Sequence, residues 1–481
     1  MNVIDAIRHH VRMRPHDLAV VHPGGSLAYG QLGTIVSGLG AKLRALGIRP
    51  GTTVAIYVND PFLHLGLVLA AMLEGIVSVS AHPNFDPMPP GAGIDTYLAE
   101  ARLAFEPAAP VITVASNWLA EAARESGGGE MLEGRGFADP GAVCRKFTSS
   151  GTTGTPKIVA HTSEGLREIA ARGLMMEPIS GGPNLSMMWL STIGGFNTSQ
   201  STLWHGGLLV MATLPHTVLR AINLYRVRYL RASPQQLQAL VELVRGRAVR
   251  FPSLERVEVG GASTAASTVV AARALLCPNV VGVYGSTEAG MVAQTPAAVL
   301  QAQPTAAGYV VPEATLEIVD ANDAVVASGT EGIVRIRTPA MARRYEGDEE
   351  ATARGFRDGW FYPGDLGRLG ADGIVHITGR TDEMINAGGV KLSPVIVDDF
   401  LITQPGVREA AAFARRQPGR GDEVWAAVVC EDAFDEEAVL GACRARLNSR
   451  APVRLVRVAE IPRNAMGKPL RQQLTQQADR F

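Results

Sequence analysis

A loop rich in glycine and hydroxyl side chains occupies residues 149–157, with the sequence Ser-Ser-Gly-Thr-Thr-Gly-Thr-Pro-Lys. Glycines allow backbone N–H groups to turn toward a bound anion, and hydroxyl groups add further hydrogen-bond donors. Lys157 adds a positive charge on a flexible stem. The Walker spacing G-x-x-x-x-G-K-[ST] is absent here. The loop therefore predicts phosphate binding by another kind of motif, with a polar surface turn as the alternative.

Lysine is scarce in this chain. Of the 45 basic residues only five are lysines, at positions 42, 146, 157, 391 and 468. Because arginine serves most positions that need only a positive charge, the lysines are candidates for tasks that need a compact ammonium group. Lys157, Lys391 and Lys468 each lie in a glycine-rich segment, whereas Lys42 and Lys146 need no special explanation.

Four further motifs follow the loop in chain order. They are Tyr-Gly-Ser-Thr-Glu-Ala-Gly at 284–290, Gly-Trp-Phe-Tyr-Pro-Gly-Asp at 359–365, Gly-Arg-Thr-Asp-Glu-Met-Ile at 379–385 with Gly-Gly-Val-Lys at 388–391, and Pro-Arg-Asn-Ala-Met-Gly-Lys at 462–468. Together with the loop they resemble the motifs of the adenylate-forming superfamily, which comprises acyl-CoA synthetases, adenylation domains of peptide synthetases and luciferases. The resemblance covers essentially the whole chain. It implies that the chain binds ATP and activates a carboxylic acid as its acyl-adenylate.

The resemblance implies roles for the residues of a nucleotide site. Tyr284 is expected to stack on adenine, and Glu288 to hold Mg²⁺ between the phosphates. Asp365 is expected to accept both ribose hydroxyls, with Arg380 beside it. Simpler alternatives are a core tyrosine, an acid at a helix N-terminus and a turn aspartate. The residues expected to bind ATP or AMP are Ser149, Ser150, Gly151, Thr152, Thr153, Gly154, Gly261, Ala262, Tyr284, Gly285, Asp365 and Arg380.

The expected chemistry brings two anions together, because the carboxylate of the acid attacks the α-phosphate of ATP. Catalysis is then mostly positioning and charge neutralisation. Lys157 and Lys468 supply positive charge together with Mg²⁺, and Thr287 is expected to bind the α-phosphate next to Glu288. These four residues form the expected catalytic set.

The resemblance also implies a second step, in which the C-terminal domain rotates and a thiol attacks the adenylate. Asp382 matches the hinge position and would absorb the change in backbone angles. Gly388 and Gly389 would face the thiol tunnel. Lys391 either supports this second state or is an ordinary surface residue.

An acyl pocket is expected between two glycine-containing segments. Many acyl- and aryl-CoA ligases carry a histidine where Thr192 stands in this chain. The chain departs from the family pattern again at Ile158, where glycine is usual, and at Ile396, where glutamate is usual. The residues expected to line the pocket are Thr192, Gly194, Gly195, Phe196 and Gly260.

A layered α/β fold must position these motifs. Strand patterns alternate with helical ones, as in the strand 54–58 followed by the helix 61–74, and the strand 256–260 followed by the helix 265–276. In parallel sheets of this kind, ligands bind at the carboxyl ends of strands. The turns Gly260-Gly261 and Tyr284-Gly285 fall at such ends.

Two domains are expected, because the pattern changes to shorter strands from about residue 305 and to a small α/β unit after Arg380. We predict an AMP-binding domain at residues 1–379, with a β-rich subdomain at about 305–379. A small mobile α+β domain is predicted at 380–481.

Composition excludes several classes of protein. A net charge of −1 gives no reason to expect a nucleic acid or a membrane surface as partner. The four cysteines lack C-x-x-C spacing, so neither a zinc site nor a disulfide framework is indicated. The most apolar segment, 63–81, is interrupted by His64, Glu74 and Gly75 and predicts a buried helix and strand rather than a membrane span. With no signal-peptide pattern at residues 1–16, we expect a cytoplasmic enzyme.

Three functions remain open at this point. The first is an AMP-forming acid–thiol ligase that takes a small or medium organic acid, ATP with Mg²⁺, and coenzyme A (CoA) as co-substrate. The second is a stand-alone adenylation enzyme that transfers the acyl group to the phosphopantetheine of a carrier protein or to an amine. The third is a nucleotide-binding protein without ligase activity, suggested by Ile158 and Ile396 and disfavoured by intact Glu288, Asp365 and Lys468. The absence of an attached carrier domain favours CoA.

Overall fold

The computed structural model describes residues 3–22, 24–81, 87–125, 132, 134, 136–149, 156–176, 182–303, 305–387, 390–416, 422–463 and 467–481. The helices are α1 Val3–Met13, α2 Tyr29–Ala45, α3 Pro61–Glu74, α4 Trp118–Glu125, α5 Ser163–Met176, α6 Ile193–Trp204, α7 Pro215–Leu224, α8 Pro234–Val244, α9 Ala266–Leu275, α10 Ala297–Ala302, α11 Glu349–Gly355, α12 Pro394–Leu401, α13 Glu436–Leu447 and α14 Arg471–Gln477.

The strands alternate with these helices and then cluster after residue 305. They are β1 Leu18–His22, β2 Gly25–Ala28, β3 Thr53–Tyr57, β4 Val77–Ala81, β5 Thr96–Ala99, β6 Val111–Thr113, β7 Val143–Ser149, β8 Lys157–Thr162, β9 Pro183–Ser186, β10 Leu208–Val210, β11 Tyr229–Ala232, β12 Arg256–Gly260, β13 Val280–Ser286, β14 Gly290–Pro296, β15 Ala306–Val310, β16 Thr315–Val319, β17 Gly332–Arg337, β18 Tyr345–Glu346, β19 Phe356–Arg357, β20 Trp360–Phe361, β21 Asp365–Leu369, β22 Val375–Arg380, β23 Ile385–Ala387, β24 Val390–Leu392, β25 Val407–Arg415, β26 Glu423–Cys430 and β27 Arg454–Arg457.

The longest sheet joins a parallel α/β part to an antiparallel β-rich part. Strands β10, β9, β11, β12 and β13 are parallel neighbours, and β14 and β15 continue the sheet antiparallel. Strand β15 also pairs with β22, which leads into the β21 and β17 region. A side-chain contact between Tyr284 of β13 and Asp365, the first residue of β21, brings the end of β13 to the residue where the predicted ribose motif ends. The predicted α/β class is confirmed.

A second sheet carries the glycine-rich loop. Its order among the described strands is β18-β8-β7-β4-β3-β5-β6, and β3, β4, β5, β6 and β7 run parallel. Strands β7 and β8 form an antiparallel pair in which Ser149 lies opposite Lys157. The loop between them is thus held at both ends by the sheet.

Helix α3 shows how the most apolar segment folds. Asp60 caps its N-terminus by accepting a hydrogen bond from the Leu63 N–H at 2.7 Å, and Pro61 occupies the first turn. Gly75 ends the helix in the left-handed conformation with φ 68°. Every residue from Phe62 to Glu74 is buried, including His64 and Glu74, which explains why the segment is apolar on all sides of the helix. No helix in the described ranges is long and apolar enough to cross a membrane.

The last part of the chain forms its own layer. Strands β25, β26 and β27 make a three-stranded sheet among the described residues. Val397 and Leu401 of α12 pack with Val428 of β26 and Cys443 of α13 in one apolar cluster. The boundary near residue 380, and the mobility of this unit, stay predictions.

Candidate functional site

The β7–β8 pair fixes both ends of the loop predicted to bind phosphate. Ser149 is the last residue of β7 and is 8% exposed, and Lys157 is the first residue of β8. Ser150, Gly151, Thr152, Thr153 and Gly154 lie outside the described residues. Their roles stay predictions, while the anchoring of the loop by Ser149 and Lys157 is a feature of the fold.

Tyr345 links the predicted phosphate lysine to the predicted magnesium ligand. The Lys157 Nζ atom lies 4.8 Å from the centroid of the Tyr345 ring, a cation–π contact. The Tyr345 hydroxyl donates to Glu288 Oε1 at 2.9 Å. Glu288 is only 6% exposed, so this bond holds its carboxylate in a largely desolvated place. Burial and the nearby Glu288 carboxylate raise the pKa of Tyr345, which keeps the phenol neutral and able to donate.

The sequence analysis missed Tyr345, because no motif contains it. The residue enters the site through strand β18, where it lies opposite Val159 of β8. Strand β8 begins at Lys157, so this pairing brings Tyr345 alongside the lysine. A strand of two residues leaves too short a pattern to be detected in the sequence.

Tyr284, Asp365 and Arg380 meet at the end of β13. The Tyr284 hydroxyl donates to Asp365 Oδ2 at 2.6 Å, and Arg380 Nη1 donates to Asp365 Oδ1 at 2.9 Å. Asp365 and Arg380 are direct partners across β21 and β22. Burial raises the pKa of Tyr284 well above its usual value, and Asp365 raises it further. The structure thus brings together three residues predicted to surround the adenosine.

Arg380 also contacts the predicted hinge residue. Its Nε atom lies 3.1 Å from Asp382 Oδ1 and 3.9 Å from a carboxylate oxygen of Glu383. Burial lowers the pKa of Arg380, but Asp365 and Asp382 outweigh that effect and raise it. The guanidinium therefore stays charged and holds Asp365 and Asp382 at once.

His161 is a second residue that the sequence analysis missed. Its Nε2 atom donates to the Thr287 carbonyl at 2.8 Å, which ties β8 to the backbone beside Glu288. Burial lowers the pKa of His161 to about 4, so the ring is neutral at neutral pH. The residue lies four positions after Lys157. The sequence around it contains no metal-binding or nucleophile motif, so no role was predicted for it.

The start of α6 carries the residues expected to line an acyl pocket. Thr192 caps this helix: its hydroxyl accepts from the Gly195 N–H at 3.1 Å and donates to the Trp189 carbonyl at 2.8 Å. At Gly194 an added Cβ would lie 3.0 Å from the Met188 sulfur, so the glycine permits close packing. Phe196 is fully buried, with its ring centroid 5.6 Å from that of Phe147.

The second expected wall lies at the end of β12. An added Cβ at Gly260 would lie 3.1 Å from the Val283 carbonyl oxygen of β13. Gly261 has φ +93°, a conformation that favours glycine. Ala262 follows this turn, and Gly285 lies at the corresponding end of β13, opposite Met291 of β14. Gly260 thus permits close packing of β12 against β13, and the approach of a ligand to this turn stays a prediction.

The segment that carries Lys468 lies against the α/β part of the chain. At Gly467, with φ +83°, an added Cβ would lie 2.8 Å from Gln235 of α8. Arg463 Nη1 donates to the Gly467 carbonyl at 2.8 Å and so braces the turn next to Lys468. Lys391 belongs to β24, and its side chain, like Gly388 and Gly389, lies outside what the structure describes.

Known proteins match this architecture along nearly the whole chain. A salicylyl-CoA synthase / salicylate adenylyltransferase from Streptomyces sp is 28% identical, with 94% of this chain and 89% of the relative covered. An indoleacetate–CoA ligase from Aromatoleum aromaticum is 26% identical, with 97% of this chain and 96% of the relative covered. The o-succinylbenzoate CoA synthetase structure from Bacillus subtilis has a TM-score of 0.86 at 22% identity, with 98% and 97% of the two chains covered.

The family match covers both parts of the molecule. Residues 7–346 match the AMP-binding enzyme family, and residues 397–468 match the C-terminal domain of AMP-binding enzymes. The first range contains the phosphate loop with Lys157, and the second ends at Lys468. The adenylate-forming resemblance of the motifs is therefore confirmed, and this chain belongs to the family of AMP-binding enzymes.

Proposed function

We propose that this chain is an acid–thiol ligase that activates a carboxylic acid with ATP and transfers the acyl group to CoA. The carrying observation is that Lys157, the residue that ends the phosphate loop, forms one connected chain of contacts with Tyr345 and Glu288. A second connected set, Tyr284 and Asp365 with Arg380, lies on the adjoining strand ends. The two sets match the needs of a triphosphate and of a ribose with its base.

The first step joins the acid to AMP. A carboxylate oxygen of the acid attacks the α-phosphorus of ATP, the bond from that phosphorus to the bridging oxygen breaks, and pyrophosphate leaves with its electron pair. Lys157 would hold the departing phosphates, and Lys468 would lie at the new bond. Neither role requires proton transfer, so positioning and charge neutralisation account for the step.

The residues present fit a magnesium ion bound together with ATP. Mg²⁺ prefers oxygen ligands and commonly takes one or two carboxylates plus substrate phosphates. Glu288 offers a buried carboxylate, oriented by Tyr345, beside the phosphate loop. Among the described residues there is no cluster of three or more acidic, histidine or cysteine side chains that could bind a metal independently of a substrate. When bound, the ion would neutralise phosphate charge.

The second step would transfer the acyl group to sulfur. The thiol loses its proton, its sulfur attacks the acyl carbonyl carbon, and AMP leaves with the oxygen that joined it to the acyl group. Rotation about Asp382 would replace Lys468 at the site by the segment with Gly388, Gly389 and Lys391. We place CoA first as the acceptor because relatives that cover almost the full chain are named as CoA ligases.

We also propose a cytoplasmic location. All four cysteines, Cys144, Cys277, Cys430 and Cys443, are free, and three of them are buried. Free buried thiols suit a reducing compartment. Treatment of intact and lysed cells with a membrane-impermeant protease would test this location: the chain should resist digestion in intact cells and be cleaved after lysis.

Pyrophosphate release tests the function. The purified chain would be given ATP, Mg²⁺ and a panel of acids, with and without CoA, and products would be identified by mass spectrometry. We expect CoA-independent formation of an acyl-adenylate and an acyl-CoA product when CoA is present. An activated acid that reaches an amine or a carrier protein but never CoA would support the alternative. Failure to release pyrophosphate with any acid, despite ATP binding, would leave only the non-ligase function.

A further inference from the structure

A buried ion pair lies where the two expected walls of the acyl pocket meet. Strand β11 runs beside β12 with Arg231 opposite Glu258. Arg231 Nη2 lies 2.6 Å from Glu258 Oε2, and Arg231 Nη1 donates to the Gly194 carbonyl at 3.3 Å. Because side chains alternate along a strand, Glu258 shares its face of the sheet with Gly260. Arg231 thus connects the wall at Gly194 to the wall that ends at Gly260.

The carboxylate of Glu258 accepts hydrogen bonds from four side chains and is buried from solvent. The carboxylate accepts from the Tyr229 hydroxyl, from Arg256 Nη2 at 2.7 Å and from Gln294 Nε2 at 3.3 Å, in addition to Arg231. Its exposure is 0%. Burial acts to raise its pKa, but Arg231 and Arg256 outweigh that effect and lower it, so the group is ionised.

Arg231 is the member of this pair that reaches outward. Its side chain is 12% exposed, against 1% for Glu258. Where the two expected walls meet, the charged group with the larger exposed fraction is therefore a guanidinium rather than a carboxylate. An alkyl chain that ended here would strip water from a charge without replacing its hydrogen bonds, which is costly. A substrate group with a lone pair would replace them.

We propose that Arg231 determines substrate specificity by binding a hydrogen-bond acceptor at the far end of the acid. The inference rests on the proposed function and deepens it. The substrate class is a small acid with a second oxygen group remote from the carboxylate that is activated. A phenolic oxygen and a second carboxylate share this chemistry.

The wild-type enzyme provides the first test, with acids compared in pairs. Benzoate is compared with 3- and 4-hydroxybenzoate, and hexanoate with adipate, by pyrophosphate release. The expected result is that at least one acid with the second oxygen group exceeds its unsubstituted partner in kcat/KM by about 10- to 100-fold, the range for one hydrogen bond to a charged group. The phenol and dicarboxylate arms distinguish the two sources. Equal or better use of the unsubstituted acids in both arms would overturn the proposal.

Two matched variants provide the second test. Arg231→Met and Arg256→Met each leave Glu258 with one arginine, Tyr229 and Gln294, and the two arginine side chains are similarly exposed, at 12% and 13%. Only Arg231 reaches Gly194. We expect Arg231→Met to remove the preference for the oxygen-bearing acid, mainly through KM, and Arg256→Met to retain it. Retention by Arg231→Met, or equal loss in both variants, would contradict the assignment.

The failure of this inference differs from failure of the proposed function. If acyl-CoA forms but the preference is absent, only the role of Arg231 is wrong. If no acid in either series yields an adenylate, the ligase function itself falls and the specificity proposal with it. If Arg231→Met does not fold, the pairwise comparison on the wild type still decides the question.

Discussion

Replacing Tyr345 by phenylalanine removes one hydroxyl and keeps the aromatic ring. The lost group donates to Glu288 Oε1 at 2.9 Å, and the retained ring still faces the Lys157 ammonium at 4.8 Å from its centroid. Hydrogen bonds to charged groups contribute about 1.5–3 kcal/mol. Because Glu288 is 6% exposed, solvent replaces the lost donor poorly. If Glu288 acts during adenylation, Tyr345→Phe should therefore lower kcat/KM for ATP by about 10- to 150-fold.

The assay follows pyrophosphate release at varied Mg²⁺ concentration. A carboxylate that has lost its orienting bond should bind the ion less well, so the variant should need more Mg²⁺ for half its maximal rate. Thermal stabilisation by ATP with Mg²⁺, measured against ATP alone, gives a readout that does not depend on turnover. Tyr345→Leu should lose more, because it also removes the cation–π contact, worth about 0.5–2 kcal/mol.

Tyr29→Phe is the matched control. Tyr29 is fully buried, and its hydroxyl donates to the Gly207 carbonyl at 2.9 Å, in a different part of the fold from the phosphate loop. This variant should lose stability but keep the same Mg²⁺ requirement. The reasoning fails if Tyr345→Phe retains the wild-type rate and Mg²⁺ dependence within about twofold, or if the two variants change in the same way.

Two further predictions concern Lys468 and His161. Lys468→Ala should slow adenylation by about 100-fold or more while leaving ATP binding and the use of preformed acyl-adenylate intact; unchanged pyrophosphate release would show that this lysine has another role. His161 has a pKa of about 4 in the fold and an ordinary value of 6.5. As the pH falls through 6.5, His161 therefore becomes protonated in the unfolded chain. In the folded chain the same ring stays neutral until about pH 4. Its contribution to the free energy of unfolding should fall by about 3 kcal/mol across that window. Urea unfolding of His161→Gln should show a weaker pH dependence than the wild type, with the exposed His216→Gln as control, and identical slopes would contradict this account.

The sequence predicted helices whose start and end residues agree with their apolar pattern. Helix α3 was predicted with the same bounds, because its apolar run lies between Asp60 with Pro61 and Gly75. Strand β25 was missed, although it pairs with β26 along most of its length. Its register depends on a partner distant in sequence.

The same distinction applies to the site. The motifs predicted that Tyr284, Asp365 and Arg380 bind one nucleotide; the structure brings the three side chains into contact, and their binding of adenine and ribose stays a prediction. Tyr345 and Arg231 could not be found in this way, because neither stands in one of the motifs and each reaches the site through the strand that carries it. Arg231 meets a glutamate 27 positions away, and Tyr345 a glutamate 57 positions away. Motif spacing locates the groups common to a family, whereas cross-strand contacts of this kind belong to the individual fold.

Arg380 links the predicted nucleotide site to the expected hinge residue. Its guanidinium binds Asp365 through one nitrogen and Asp382 through another. If the backbone at Asp382 turns between the two steps, the Arg380–Asp382 bond must break or Arg380 must move with it and loosen its hold on Asp365. Either outcome changes the surroundings of the ribose when the acceptor thiol arrives. The order of events, with AMP held during adenylation and released after transfer, can therefore be governed by one arginine that two carboxylates share.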